Sequence, residues 1–220
     1  MPALSDTELI QFKDWTLRVR PALVQPARLL LMVHGWTGDE NSMWVFARDL
    51  PPENWIVAPR APHATELGGY SWRRHDVATT QGRPSLELLR PSIEALIRLV
   101  DEYTASVGLD AAPFDVVGFS QGAAMANLLV MLYPDRVRRV GVLAGFVPSG
   151  AEALVQGRPL AGKKVFVAHG TLDTMVPVDR ARTSIDLLEQ AGAEVAYCEE
   201  EVGHKVSIGC LRALRSYLAE

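Results

Sequence analysis

Only two cysteines, Cys198 and Cys210, occur among the 220 residues. A chain of this length buries roughly 70% of the surface its unfolded form exposes, so its core requires neither a disulfide framework nor a structural metal. The spacing of the two thiols matches no metal-ligand pair and permits at most one bridge. In a cytosol both are expected to stay reduced and to serve as small apolar packing residues. Long apolar runs are missing as well. No stretch reaches the ~18 residues that a membrane span requires, so stable membrane anchoring is not expected. The start, Met1 to Ile10, holds Asp6 and Glu8 and no basic region leading into an apolar stretch, unlike a secretory signal, and a cytoplasmic location is expected. Clustered positive charge is scarce. The 22 Lys and Arg are scattered apart from Arg73-Arg74 and Arg136-Arg138-Arg139, and the net charge is −4. Without a basic stripe, a nucleic-acid partner is not expected.

What the sequence does contain is a recurrence of short continuous apolar runs: Leu29–Val33, Trp55–Ala58, Val116–Phe119, Val140–Ala144, Val165–Ala168 and a weaker Val195–Tyr197. Continuous rather than alternating runs suit strands covered on both faces, as in a parallel sheet. Helical patterns lie between them. Leu86 to Val107 places Leu88, Leu89, Ile93, Leu96, Ile97, Val100 and Tyr103 at spacings of three and four, with Asp101 and Glu102 on the other face, the stripe of an amphipathic helix. Gln121 to Tyr133 is apolar nearly all round and stops before Pro134. Val178 to Ala191, with Asp179 as candidate cap, and Val206 to Leu218 complete the set. Strands alternating with helices predict one α/β domain over residues 1–220, with a mostly parallel sheet. The longest irregular stretch, Arg60 to Pro84, is too short to form a second domain.

The segment most telling of chemistry is Gly118-Phe-Ser120-Gln-Gly122, after a buried strand pattern and at the start of a helix. G-x-S-x-G in that setting is a nucleophile elbow: a sharp turn exposes the Ser hydroxyl at the sheet edge, and the glycines let neighbouring backbone pass. A capping Ser at a helix start is the plainer alternative. A hydroxyl nucleophile needs a base, and the base an orienting acid. In this architecture the chain order is Ser, acid, His. Of the five histidines only His169 and His204 follow Ser120. His204 lies after the last strand pattern with Asp173 before it, which selects Ser120, Asp173 and His204. His169 is expected to help orient the loop that carries Asp173. The oxyanion donors expected are the backbone N–H groups of Gln121 and of Trp36, in the loop after the first buried strand.

These segments resemble the α/β-hydrolase carboxylesterases related to acyl-protein thioesterases and lysophospholipases. The resemblance rests on Val33-His-Gly-Trp36, Gly118-Phe-Ser-Gln-Gly122, Tyr133-Pro-Asp-Arg leading to Leu143-Ala-Gly-Phe146, His169-Gly-Thr-Leu-Asp173-Thr-Met-Val-Pro177, and Gly203-His204. It implies an α/β-hydrolase fold with no large cap domain and a serine esterase acting on small-molecule esters, thioesters or lysophospholipids, without metal or organic cofactor. It assigns catalysis to Ser120, Asp173 and His204, and the oxyanion hole to Trp36 and Gln121. Such enzymes commonly have Leu where this chain has Trp36 and Gly where it has Ala123. Trp72, Phe146, Met175 and Val176 are the expected walls of the substrate pocket, together with other residues of the 60–84 stretch such as Tyr70 and His75. An amidase or peptidase using the same triad, and an inactive hydrolase-like binding protein, are the rival readings. A homodimer through exposed aromatics stays open.

Overall fold

The apolar runs are the strands of one eight-stranded sheet in a computed structural model that describes residues 6–47, 49–74, 84–110 and 113–220. Its strands are β1 (Glu8–Phe12), β2 (Trp15–Arg20), β3 (Arg28–Val33), β4 (Asn54–Pro59), β7 (Phe114–Phe119), β8 (Val137–Leu143), β9 (Lys164–Gly170) and β10 (Glu194–Glu200). Their order across the sheet is β1-β2-β4-β3-β7-β8-β9-β10. From β4 to β10 every pairing is parallel. The first two strands add an antiparallel edge. That hairpin was not anticipated, because Glu8–Phe12 and Trp15–Arg20 are short, half-buried and polar at intervals.

Helices cover both faces. On one side lie α1 (Leu86–Val107), α2 (Gln121–Leu132), the short α3 (Glu152–Val155) and α4 (Val178–Gln190), whose apolar residues share a core with Leu29, Leu31, Val33, Val116, Val140 and Val165. On the other, α5 (Ile208–Ala219) packs Cys210, Leu214 and Tyr217 with Leu30, Met32, Val117 and Phe166, alongside Met43 and Trp44. Successive side chains of a strand point to opposite faces, so Leu29 and Leu31 enter one core while Leu30 and Met32 enter the other. α1 starts at Ser85, whose hydroxyl accepts the Leu88 N–H, and ends at Gly108 in a left-handed conformation. α4 departs from expectation: its cap is Pro177, and Asp179 sits in the first turn, exposed and paired with Arg182.

Within Arg60 to Pro84, a second small pair, β5 (His63–Ala64) and β6 (Tyr70–Ser71), forms an antiparallel arm. Residues 75–83, including His75, lie outside the described residues. Because the strands from β4 to β10 run the same way, the segments that follow them emerge along one edge of the sheet. Trp36, Ser120, Phe146, Asp173 and His204 all occupy such segments.

One expectation is corrected. Cys198 in β10 and Cys210 in α5 are joined in a disulfide rather than held as separate packing thiols. The physical reason is the tight return of the chain from β10 into α5, which sets the two Cα atoms 5.6 Å apart, within the ordinary range for a bridge. The bond closes the loop 199–209, which contains His204. Crosslinks of this length stabilise by about 3 kcal/mol through the unfolded state. Denaturant unfolding with and without a thiol reductant should show a loss of that order, and Cys198→Ser/Cys210→Ser should be insensitive to the reductant. Equal midpoints for the wild type in both conditions would show that the bond contributes nothing.

Candidate active site

The turn between β7 and α2 leaves no room for side chains. A Cβ on Gly118 would lie 2.0 Å from the Gly122 carbonyl oxygen, and one on Gly122 would lie 2.0 Å from that of Val33. Glycine at both positions lets β7 turn into α2 directly against the end of β3. Ser120, between them, has φ 53° and ψ −114°, a strained conformation for a residue with a side chain. Its N–H donates to Leu143 O at 2.9 Å, and its carbonyl accepts the Ala123 and Ala124 N–H groups. Its side chain makes no capping hydrogen bond to α2, so the plainer reading of a capping serine does not describe it.

The hydroxyl instead meets a histidine. His204 Nε2 is 3.0 Å from Ser120 Oγ, and His204 Nδ1 is 2.7 Å from Asp173 Oδ2. The carboxylate accepts from Nδ1–H, which leaves Nε2 as an acceptor for the serine proton. Asp173 is buried, and its other oxygen accepts the N–H groups of Met175 and Val176, each at 2.9 Å. It is thus a turn former and the imidazole's partner together. The loops carrying acid and histidine are laced by Thr171 N–H to Glu200 O and Leu172 N–H to Val202 O. Gly170 permits this approach, since a Cβ there would sit 2.1 Å from Val202 O. The ring of Phe119 lies 5.1 Å from that of His204 and stacks in turn on Phe46.

Gln121 and Gly35 both adjoin Ser120. Gln121 is the first residue of α2, so helix geometry does not use its N–H. A Cβ on Gly35 would touch the Ser120 Cβ at 3.3 Å, so Gly35 lies beside the serine. The side chain of Gln121 turns the other way, into a buried cluster. Its Oε1 accepts the Trp72 N–H at 3.0 Å, Trp72 Nε1–H donates to His34 O at 2.8 Å, and Ser92 Oγ donates to Trp72 O at 2.6 Å. His34 Nε2 accepts the Ala61 N–H at 3.0 Å, which puts its proton on Nδ1, facing Gly35 O at 2.7 Å. The cluster ties the β3 loop, the start of α2 and the β6 arm to one another.

Of the four expected pocket walls, Met175 is 65% exposed beside Asp173. The other three are buried. Trp72 has no exposed surface, because its indole fills the cluster just described. Phe146 is buried beneath the Arg180 guanidinium, 3.5 Å from its ring centre, and its carbonyl accepts from Asn127. Val176 is buried by the turn that serves Asp173. Leu172, one residue before Asp173, is exposed as well. Ala123 also has a counterpart: a Cβ on Gly145 would fall 2.2 Å from its Cβ.

Burial holds His34 below its ordinary value of 6.5. The folded chain therefore keeps the ring neutral while the unfolded chain takes up a proton as the pH falls through 6.5. The stability this neutral ring contributes is complete above that value and is lost progressively below it. Denaturant unfolding at about pH 7.5 and about pH 5.5 should show the loss, and His34→Gln, which keeps an acceptor for Ala61 but does not titrate, should diminish it. An undiminished loss in the variant would exclude His34 as its source.

Comparison with known proteins gives the family of the chain. A family model described as phospholipase/carboxylesterase matches residues 16–220. An acyl-protein thioesterase 1 of Debaryomyces hansenii is 29% identical over 189 residues, covering 78% of this chain and 81% of that protein. The crystal structure of esterase PE8 superposes with a TM-score of 0.78 at 26% identity, covering 91% of this chain and 96% of the other. A Bacillus cereus carboxylesterase gives a TM-score of 0.81 at 23% identity over 94% of each chain, a likeness of fold. With the match extending over nearly the whole α/β-hydrolase sheet, the chain belongs to the phospholipase/carboxylesterase family and is an ester-hydrolysing enzyme.

Proposed function

We propose that Ser120, His204 and Asp173 act as a catalytic triad that hydrolyses carboxylic esters, and thioesters by the same route, through an acyl-enzyme on Ser120. The observation that carries this reading is the unbroken hydrogen-bonded chain from Asp173 Oδ2 through His204 to Ser120 Oγ, at 2.7 and 3.0 Å. Ser120 Oγ attacks the carbonyl carbon as its proton passes to His204 Nε2. Asp173 steadies the imidazolium that results. The carbonyl oxygen becomes an oxyanion and is met by the backbone N–H groups of Gln121 and Trp36, each such donor being worth roughly 3–4 kcal/mol. Collapse breaks the bond to the leaving alcohol or thiol, which receives the proton from His204. Water then gives a proton to His204 and adds to the acyl carbon, and a second collapse releases the acid and restores Ser120.

Preference for esters and thioesters is supported by the relatives, among them one named as a thioesterase. Both substrate types pass through the same oxyanion. Exposed Trp36, Leu172 and Met175 lie on the loops that carry the proposed machinery, and in this reading they offer the acyl group apolar surface at the mouth of the site. Among the described residues no helix is long and apolar enough to cross a membrane.

Ser120→Ala should lower kcat/KM for a short p-nitrophenyl ester by about a thousandfold or more, and a fluorophosphonate should label the wild type at Ser120 and leave the variant unmodified. Hydrolysis retained by Ser120→Ala would end the proposal.

A further inference from the structure

A second histidine stands behind the acid. His169, in β9, has a fully buried side chain, and nothing in the reaction proposed above uses it. Its Nε2 lies 2.7 Å from Val176 O and 3.5 Å from Asp173 Oδ2. A carbonyl only accepts, so the ring proton sits on Nε2 and the hydrogen bond runs from His169 to Val176 O. The other nitrogen, Nδ1, is buried without a hydrogen-bond partner among the described residues. A side chain that merely filled space would be better replaced by a phenyl ring, which carries no such orphaned atom.

What the ring accomplishes is visible at Val176. Its N–H donates to Asp173 Oδ1, and its C=O accepts from His169. The residue is held through both of its backbone polar groups, and the carbonyl would otherwise lack this donor. With Oδ1 engaged by Met175 and Val176, the carboxylate can present only Oδ2 to His204. At 3.5 Å the His169 N–H is too distant for a good hydrogen bond to Oδ2, so its hold on the carboxylate runs through the turn.

We propose that His169 is a positioning residue: through Val176 it fixes the 173–176 turn so that Asp173 Oδ2 meets His204 Nδ1. This rests on the triad reading. It distinguishes the donor from the volume of the side chain. His169→Phe keeps a buried ring and removes the donor, whereas His169→Gln restores an amide N–H of similar reach.

The test combines ester turnover, fluorophosphonate labelling and the downfield proton resonance of the His204 Nδ1–H bound to Asp173. Misplacement of a catalytic group by ~1 Å can cost a hundredfold; His169→Phe is expected to lower kcat and the labelling rate by about tenfold, to leave KM within about twofold, and to weaken or shift the resonance. His169→Gln should recover both the rate and the resonance. If His169→Phe does not fold, His169→Asn, whose shorter amide does not reach Val176 O, replaces it with the same expectation. Wild type that labels normally beside a His169→Phe variant with unchanged rate and resonance would overturn the positioning role alone. So would equal losses in the phenylalanine and glutamine variants. Failure of the wild type to label at Ser120 would overturn the triad reading and this role with it.

Discussion

The site depends on a backbone crossing at which two glycines stand where no side chain fits. Gly118 and Gly122 allow the turn after β7 to press against the last carbonyl of β3, at separations that a Cβ would reduce to 2.0 Å. This contact holds Ser120 in a conformation that a residue with a side chain ordinarily avoids. Such strain persists only where the surroundings over-determine it. Here they do so through a sheet whose neighbouring strands are hydrogen-bonded on both sides of β7 and a helix buried nearly all round. The apolar character of α2 follows from this position, since it lies across the sheet directly behind the elbow.

Two kinds of residue surround that crossing. Ser120, His204 and Asp173 face one another in a line, and each comes from a different segment after a different strand. Behind them lies an apparatus of buried polar groups, comprising His34, Trp72, Gln121, Ser92 and His169, that contributes tethers between loops. In a low-dielectric interior an unpaired polar group is costly, so such tethers hold only when their partners are met. The two buried histidines are used alike. Each spends one ring nitrogen on a peptide group of a neighbouring loop, His34 on Ala61 and His169 on Val176.

Much of this was legible in the sequence, for identifiable reasons. Five of the six parallel strands are largely buried and their apolar runs are unbroken, so their existence could be read directly, whereas β10 is mostly exposed and its run is weaker. Ser120, Asp173 and His204 could be selected by chain order within an α/β pattern, and the fold brings them together. The edge hairpin was illegible because a largely exposed strand such as Glu8–Phe12 carries little signal over five residues. The burial of Trp72 was not legible, because it is imposed by a loop folding back on α2, and loop burial leaves no periodicity. Asp179 looked like a cap because its residue type suits one, but Pro177 takes that position. The Cys198–Cys210 bond depends on how sharply β10 returns into α5, a property of space that spacing along the chain does not encode.

The absent side chain of Gly145 has a consequence beyond packing. Ala123 on α2 occupies the volume that a side chain at 145 would need, with only 2.2 Å between the two Cβ positions. The helix after the elbow and the loop after β8 therefore share one small space and cannot change independently. A chimera that took α2 from one relative and the β8 loop from another would succeed or fail on whether those two residues came from compatible parents. In recombination, the two segments behave as a single inherited block although a strand separates them in the chain.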